Sequence, residues 1–426
     1  MEETKTADGN SGVEETEESG SVLQWGRLSR FNHIIWTVLV GTLLARTTYF
    51  MAWPFLIVIL YQDFNASAVM VGSILAGSAV VGSFTGLYSG WLSDKFGRKW
   101  VMVSGCITAA FSYSGIGIAN SIFQLFILVA MCGLMRPMIE APAKAVIGDN
   151  LDDEKDRELA LNVRYFLINV GGAIGPLIGI TLGLAHPKIL FLVTGITYLV
   201  FGLFLFISFA KSKSETLLSK ATADVTSFLS TVRIISRDRL FIKLIAANLI
   251  MMFVYGQYES SIPQVIVRTD IVDAAKFISG LVLVNTLTIA VLQFPMLKLL
   301  ENVPLFTRTR IGMAMMALAQ IAFLMVPIDF PVGWLMACFI LSVGEVIAFP
   351  TLNVQIDQLA PKHLRGSYFG AAAIYGLGFA LAPLVGGVLI QLGGATPLFI
   401  ACFVLSLLMI GLYKWAEKEI TPSSES

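Results

Sequence analysis

The stretch Gly90-Trp91-Leu92-Ser93-Asp94-Lys95-Phe96-Gly97-Arg98-Lys99 is charged and turn-like, yet it lies between two long apolar runs. So short a connection makes the two runs antiparallel neighbours and gathers Asp94, Lys95, Arg98 and Lys99 at one end of the pair. Of the 426 residues, 56% are hydrophobic and only 14% are charged, too few charges to cover a soluble fold of this length. The formal net charge of zero argues against a nucleic-acid partner. Cys106, Cys132, Cys338 and Cys402 all lie inside apolar runs without metal-ligand spacing, and read as small core residues.

A helix needs about 20 apolar residues to cross a bilayer. Twelve candidate spans begin near Ile34, Ala68, Trp100, Ser121, Glu158 and Lys188, then near Leu240, Phe277, Ile311, Pro331, Gly366 and Thr396. The pattern predicts an all-α membrane protein with twelve transmembrane helices in two pseudo-symmetric six-helix bundles, over residues 33–210 and 240–416, joined by a polar linker over 211–239. Residues 1–32 are acidic (Glu2, Glu3, Asp8, Glu14, Glu15, Glu17, Glu18), unlike the basic start of a signal peptide, and predict a disordered tail. Residues 417–426 form a second short tail.

Basic residues concentrate on alternate loops: Lys95, Arg98 and Lys99; Lys155 and Arg157; the linker; Arg308 and Arg310; Lys362 and Arg365. The opposite loops hold only Lys188, Arg268 and Lys276. The positive-inside rule therefore places both termini and the linker in the cytoplasm, for a multi-pass chain in a cell (inner) membrane. Trp36, Trp53, Trp100, Trp334 and Trp415 fall near span ends, as an interfacial belt requires.

The two bundles carry a repeat. Pro142, Asp149, Leu151 and Arg157 recur 208 residues later as Pro350, Asp357, Leu359 and Arg365. Gly171, Pro176 and Gly179 recur 207 residues later as Gly378, Pro383 and Gly386. Two related halves are the plan expected of secondary transporters, with a site at the midplane between them.

The loop from Gly90 to Lys99 resembles the G-x-L-x-D-x-x-G-R-K signature of the major facilitator superfamily, between spans two and three where that family has it. The run Gly171-Gly172-Ala173-Ile174-Gly175-Pro176-Leu177-Ile178-Gly179 resembles the G-x-x-x-G-P-x-x-G-G motif of its proton-coupled exporters, with Ile180 in place of the last Gly. Three further segments are similar to the LmrP and MdtH type of multidrug exporter: Gln257-Tyr258-Glu259, Gly344-Glu345-Val346 with Pro350, and Lys144 with Asp149-Asn150-Leu151. That resemblance implies roles in proton coupling or cationic drug binding for Asp149, Glu259 and Glu345.

Charges inside spans are costly and persist when paired, hydrated or functional. Arg136, Glu140 and Lys144 in span four share one helix face at i, i+4 and i+8. They form either a static ladder, with Glu140 neutralising one neighbour, or a positive surface for an anionic or zwitterionic substrate. Arg46, Tyr49, Phe50 and Trp53 in span one make a basic and aromatic stripe, read as a ligand-contacting surface. Tyr258, beside Glu259, completes the expected substrate set. Glu259 and Glu345 have no basic residue at helical spacing, so each can load and release a proton as access changes sides.

Gly90, Asp94, Gly97 and Arg98 are expected to gate. Asp94 would meet the positive N-terminal end of span eleven near Gly366, and Arg98 would pair with Asp149, contacts belonging to a state closed on the cytoplasmic side. The second-half loop, Leu300 to Arg310, lacks the pattern, which predicts a one-sided latch.

No phosphate-binding loop, nucleophile triad or metal spacing is visible, so the expectation is a monomeric, cofactor-free carrier, not an enzyme, working on a small molecule and driven by a proton gradient. Proton-coupled export of the multidrug type is the primary reading. Export of a carboxylate-bearing metabolite (a siderophore, peptide or sugar acid) or proton-driven import are the alternatives.

Overall fold

The computed structural model describes residues 21–66, 68–183, 187–211, 227–268 and 274–418, all helices and connections with no strand among them. Twelve long helices carry the chain back and forth: α1 (His33–Gln62), α2 (Ala68–Phe96), α3 (Arg98–Ile118), α4 (Ile122–Asn150), α5 (Glu154–Gly183) and α6 (Pro187–Lys211). The second six are α7 (Arg239–Val267), α8 (Ala274–Leu299), α9 (Leu305–Met325), α10 (Pro331–Leu359), α11 (Lys362–Gly393) and α12 (Ala395–Glu417). Ten of these are long and apolar enough to cross a membrane on their own; α2 and α9 complete the two sixes. Helix is the form that closes every backbone hydrogen bond within one segment, which the hydrocarbon demands. Several spans start on a side-chain cap: Asn32 accepts from the Ile35 amide, Ser121 from Gln124 and Asp238 from Phe241. Span α11 is the interrupted one, its helix passing through a tighter turn at Ala373–Tyr375.

Each half has its own core. Leu56, Met102, Tyr113 and Phe191 belong to the first. Phe241, Phe323, Trp334, Phe399 and Tyr413 belong to the second. The halves meet through α2 and α4 against α11, and through α5 against α8 and α10. The motif glycines of α5 pack on α1, where a Cβ on Gly175 would meet the Thr47 carbonyl at 2.5 Å. Their repeat counterparts in α11 pack on α7, where Gly378 lies against the Leu249 carbonyl.

The N-terminal segment departs from expectation. Disorder to residue 32 was the reading of its composition, but residues 21–31 are ordered across the molecule. Val22 is buried in a third apolar cluster with Leu159 of α5, Leu297 of α8 and Val354 of α10. The Ser21 hydroxyl donates to Glu301 (2.5 Å) and the Val22 amide donates to the same carboxylate (3.1 Å). Arg27 donates to Asp156 (2.5 Å), and Arg30 reaches it at 3.2 Å. The segment thus ties the start of α5 to the end of α8. Composition averaged over 32 residues hides the one valine and two arginines that anchor it. Residues 1–20 of the acidic tail, 212–226 of the linker and 419–426 of the C-terminal tail lie outside the described residues. Linker residues Phe228–Arg237 form an amphipathic helix whose Phe228 ring packs edge-on against Tyr88 and Trp91 of α2.

Candidate functional site

The signature segment is docked on the second half. Gly97 has φ of +90°, a conformation that favours glycine, and lets the chain turn from α2 into α3. A side chain at Gly90 would collide with the Gly366 carbonyl, so only glycine allows α2 to approach α11 this closely. Asp94, 3% exposed, accepts from the amides of Gly366 (2.9 Å) and Ser367 (2.6 Å) and from the Ser367 hydroxyl. These amides open the helix Arg365–Ala372, whose positive end suits a carboxylate. Arg98 donates to Asp94, to Ser93 (2.9 Å) and to Asp149 at 3.0 Å. All four predicted latch positions and Asp149 are brought together as expected.

The repeat residues cross over at the same end. Arg157 of the first half donates to Asp357 of the second (2.8 Å), while Arg365 of the second reaches Asp149 of the first (3.3 Å). These two pairs are images of each other under the 208-residue repeat. Arg365 also donates to the Gly148 carbonyl.

The second half has a contact at the corresponding place: the segment 300–310 has lost the signature, but Arg308, in the first turn of α9, forms a buried ion pair with Glu158 near the start of α5. The repeat makes Glu158 the counterpart of Gly366, 208 residues on. In the first half an acid in the last turns of α2 meets bare amides; in the second a cation in the first turn of α9 meets an acid on α5. The polarity is reversed and the contact kept, which a search for the same motif cannot see. Arg308 is oriented by the Val303 (2.7 Å) and Glu301 (2.8 Å) carbonyls.

Deeper in, α4 presents Arg136, Glu140 and Lys144. The ladder along α4 is not formed. One Glu140 oxygen accepts from Arg46 of α1 and the other from Arg164 of α5. Arg46 and Glu140, expected as substrate contacts, are therefore committed to each other. Arg164, 4% exposed, was missed because it lies within the first turns of the fifth span, where charges read as flanking. Arg136 and Lys144 have no carboxylate within ion-pair distance among the described residues; the Lys144 ammonium lies 5.6 Å from the Phe369 ring centroid. Tyr49 stacks on Trp53 at 5.2 Å, and Trp53 meets Tyr113 edge-on at 6.5 Å. Tyr49 lies within electrostatic reach of Arg46, Arg136 and, from the other half, Glu259.

The second half faces this wall with carboxyls. Glu345 of α10, 3% exposed, accepts from the Tyr165 hydroxyl of α5 (2.9 Å) and from the Asn285 amide of α8 (2.7 Å). Asn285 is held in turn by Ser342 at 2.9 Å. Every hydrogen-bond donor to Glu345 among the described residues is neutral, and one comes from the opposite half. Glu259 is exposed on α7, within electrostatic reach of Tyr49 of α1 and Glu345 of α10. Tyr258 is a correction: it is buried in the core of the second half and its hydroxyl donates to the Leu281 carbonyl (3.1 Å), away from the cleft. Asp149 is occupied at the latch by two guanidinium groups and lies with the gating residues. Tyr165 and Asn285 were not legible beforehand, since nothing in their spacing announces a partner on another helix.

Comparison with known proteins agrees with this architecture. The family model described as Major Facilitator Superfamily matches residues 38–376. The uncharacterized MFS-type transporter YqjV of Bacillus subtilis (strain 168) is 30% identical over 384 residues, spanning 89% of this chain and 92% of its own. Multidrug resistance protein MdtH of Salmonella choleraesuis (strain SC-B67) is 25% identical over 365 residues, 84% of this chain and 87% of its own. The crystal structure of the human organic anion transporter MFSD10 (TETRAN) shares the fold with a TM-score of 0.74 at 18% identity, over 89% of this chain and 99% of its own. With the signature loop forming a latch between two six-helix halves, the chain belongs to the major facilitator superfamily.

Proposed function

We propose that the protein is a proton-coupled exporter of small organic molecules, working as a monomer in the cell membrane by alternating access, with the latch face and both termini in the cytoplasm. The observation that carries this reading is Glu345, a buried carboxyl with no cation beside it among the described residues, whose bond to Tyr165 spans the two halves. A separation of α5 from α10 breaks that bond and changes the carboxyl's surroundings, which is what couples a proton to a change of access. Glu259, on the open side of the same half, is the second carboxyl of the route. Asp149 is assigned to gating alone, since two guanidinium groups already occupy it. The closed latch corresponds to the outward-facing state. Relatives named multidrug resistance protein support efflux as the direction.

The test is transport by the full chain in proteoliposomes with an imposed pH gradient, using ethidium and fluorescein as probes. Glu345→Gln keeps the shape and removes the ionisable group; it is expected to abolish gradient-driven accumulation. Unchanged pH dependence in Glu345→Gln and in Glu259→Gln would remove the coupling assignment.

A further inference from the structure

We infer that the cargo is an organic anion, its carboxylate, sulfonate or phosphonate received by Arg136 and Lys144 and its apolar body lying against the Tyr49–Trp53 stack. The inference names the cargo of the transport cycle just proposed, and rests on that reading for the site's use, though its test needs binding alone.

The charge balance of the first wall carries it. Four cations, Arg46, Arg136, Lys144 and Arg164, surround a single carboxylate, Glu140. That carboxylate is used up: one oxygen goes to Arg46 and the other to Arg164. Arg136 stands one turn to one side of it and Lys144 one turn to the other, both without a carboxylate in ion-pair distance among the described residues. Two cations on one helix face inside a membrane protein need water or an anion.

Arg136 has electrostatic neighbours on four helices of the two halves, Tyr49 of α1, Tyr113 of α3, Tyr198 of α6 and Tyr375 of α11, which sets it on the cleft side of α4. Its side chain is nevertheless accessible, whereas Arg164 is buried. An accessible guanidinium presents a planar fork that matches the geometry of a carboxylate or phosphonate. Lys144, with the Phe369 ring of α11 close by, is a point charge at the other end of the same face. Next to Arg136, on the side away from Lys144, Tyr49 and Trp53 of α1 offer a flat apolar surface. A cationic cargo would have to pass the same surplus, with Glu259 the exposed acid on the facing wall and Glu345 buried among neutral donors.

The test measures fluorescein binding to the purified full chain by fluorescence polarisation, at one pH and without a gradient, with ethidium as the cation of similar size. Fluorescein is expected to bind more tightly than ethidium. Arg136→Gln and Lys144→Gln should each weaken fluorescein at least tenfold, Arg136→Lys less, with little change in melting temperature, because neither residue holds a carboxylate partner among the described residues. Failure of fluorescein to bind, tighter binding of ethidium, or fluorescein binding indifferent to Arg136 overturns the inference. Arg136-dependent binding in a chain with no Glu345-sensitive transport would sink the coupling reading and leave this one standing. Glu345-sensitive transport of ethidium with Arg136 irrelevant would do the reverse.

Discussion

On the first wall of the cleft one carboxylate, Glu140, is shared by two guanidinium groups, and Arg136 and Lys144 have no carboxylate at ion-pair distance among the described residues. On the second wall, the donors that Glu345 meets among the described residues, Tyr165 and Asn285 with Tyr255 beside them, are neutral. The halves share a repeat, yet the first spends its acid on structure while the second keeps its acid uncommitted. A carboxylate between two buried cations is fixed as an anion by geometry. A carboxyl among neutral donors can exist in either protonation state. The comparison teaches that acids in spans must be read by their partners, since their positions along the helices look alike.

The comparison breaks most readily at Glu140. Glu140→Ala leaves Arg46 and Arg164 buried and unpaired, and should lower stability by about 3–5 kcal/mol. Thermal melting of the purified protein checks this. Glu345→Gln, which removes no charge pair, should cost no more than about 1–1.5 kcal/mol in the same melt, the scale of one altered hydrogen bond. Equal losses at the two positions would erase the distinction between a structural and a chemical acid.

The latches offer a sharper version of the same contrast. Asp94→Asn weakens charge-assisted bonds to the start of α11 and should move the protein toward the latch-open state about tenfold, a change of about 1.4 kcal/mol. Cysteine accessibility labelling on the two faces reads the shift. Arg308→Gln should act in the same direction, because Glu158 is left buried without its cation. If Arg308→Gln moved accessibility not at all, the reversed contact would be packing and no latch. The smallest effect is expected at the N-terminal strap. Glu301→Gln weakens partly exposed bonds to Ser21 and Val22 and should change stability by about 0–1 kcal/mol, again by melting.

Much of the architecture was legible because bilayer physics writes it in length and charge. Spans need long apolar runs, the loop from Gly90 to Lys99 leaves little freedom, and Asp94 and Arg98 met Gly366 and Asp149 as their charges required. The repeat located Asp149, Arg157, Asp357 and Arg365, but not that each acid would add an arginine from the other half to one from its own. That exchange is set by how the bundles dock, which no local pattern encodes. The same holds for Tyr165 on Glu345 and for Arg164 on Glu140. Tyr258 misled because adjacency to Glu259 in sequence is opposition on a helix: successive residues point about 100° apart, so one faces the cleft and the other the core. The ordered strap at residues 21–31 escaped because composition reports an average and three anchoring side chains do not move it.

The division of labour between the walls is tested most directly by comparing two assays on the same proteoliposomes: accumulation of fluorescein driven by a pH gradient, and fluorescein counterflow with no gradient. Glu345→Gln is expected to lose the first and retain the second, since it still binds and exchanges cargo. Arg136→Gln is expected to lose both. Loss of both by each variant, or retention of gradient-driven accumulation in Glu345→Gln, would contradict the assignment of cargo to one wall and the proton to the other.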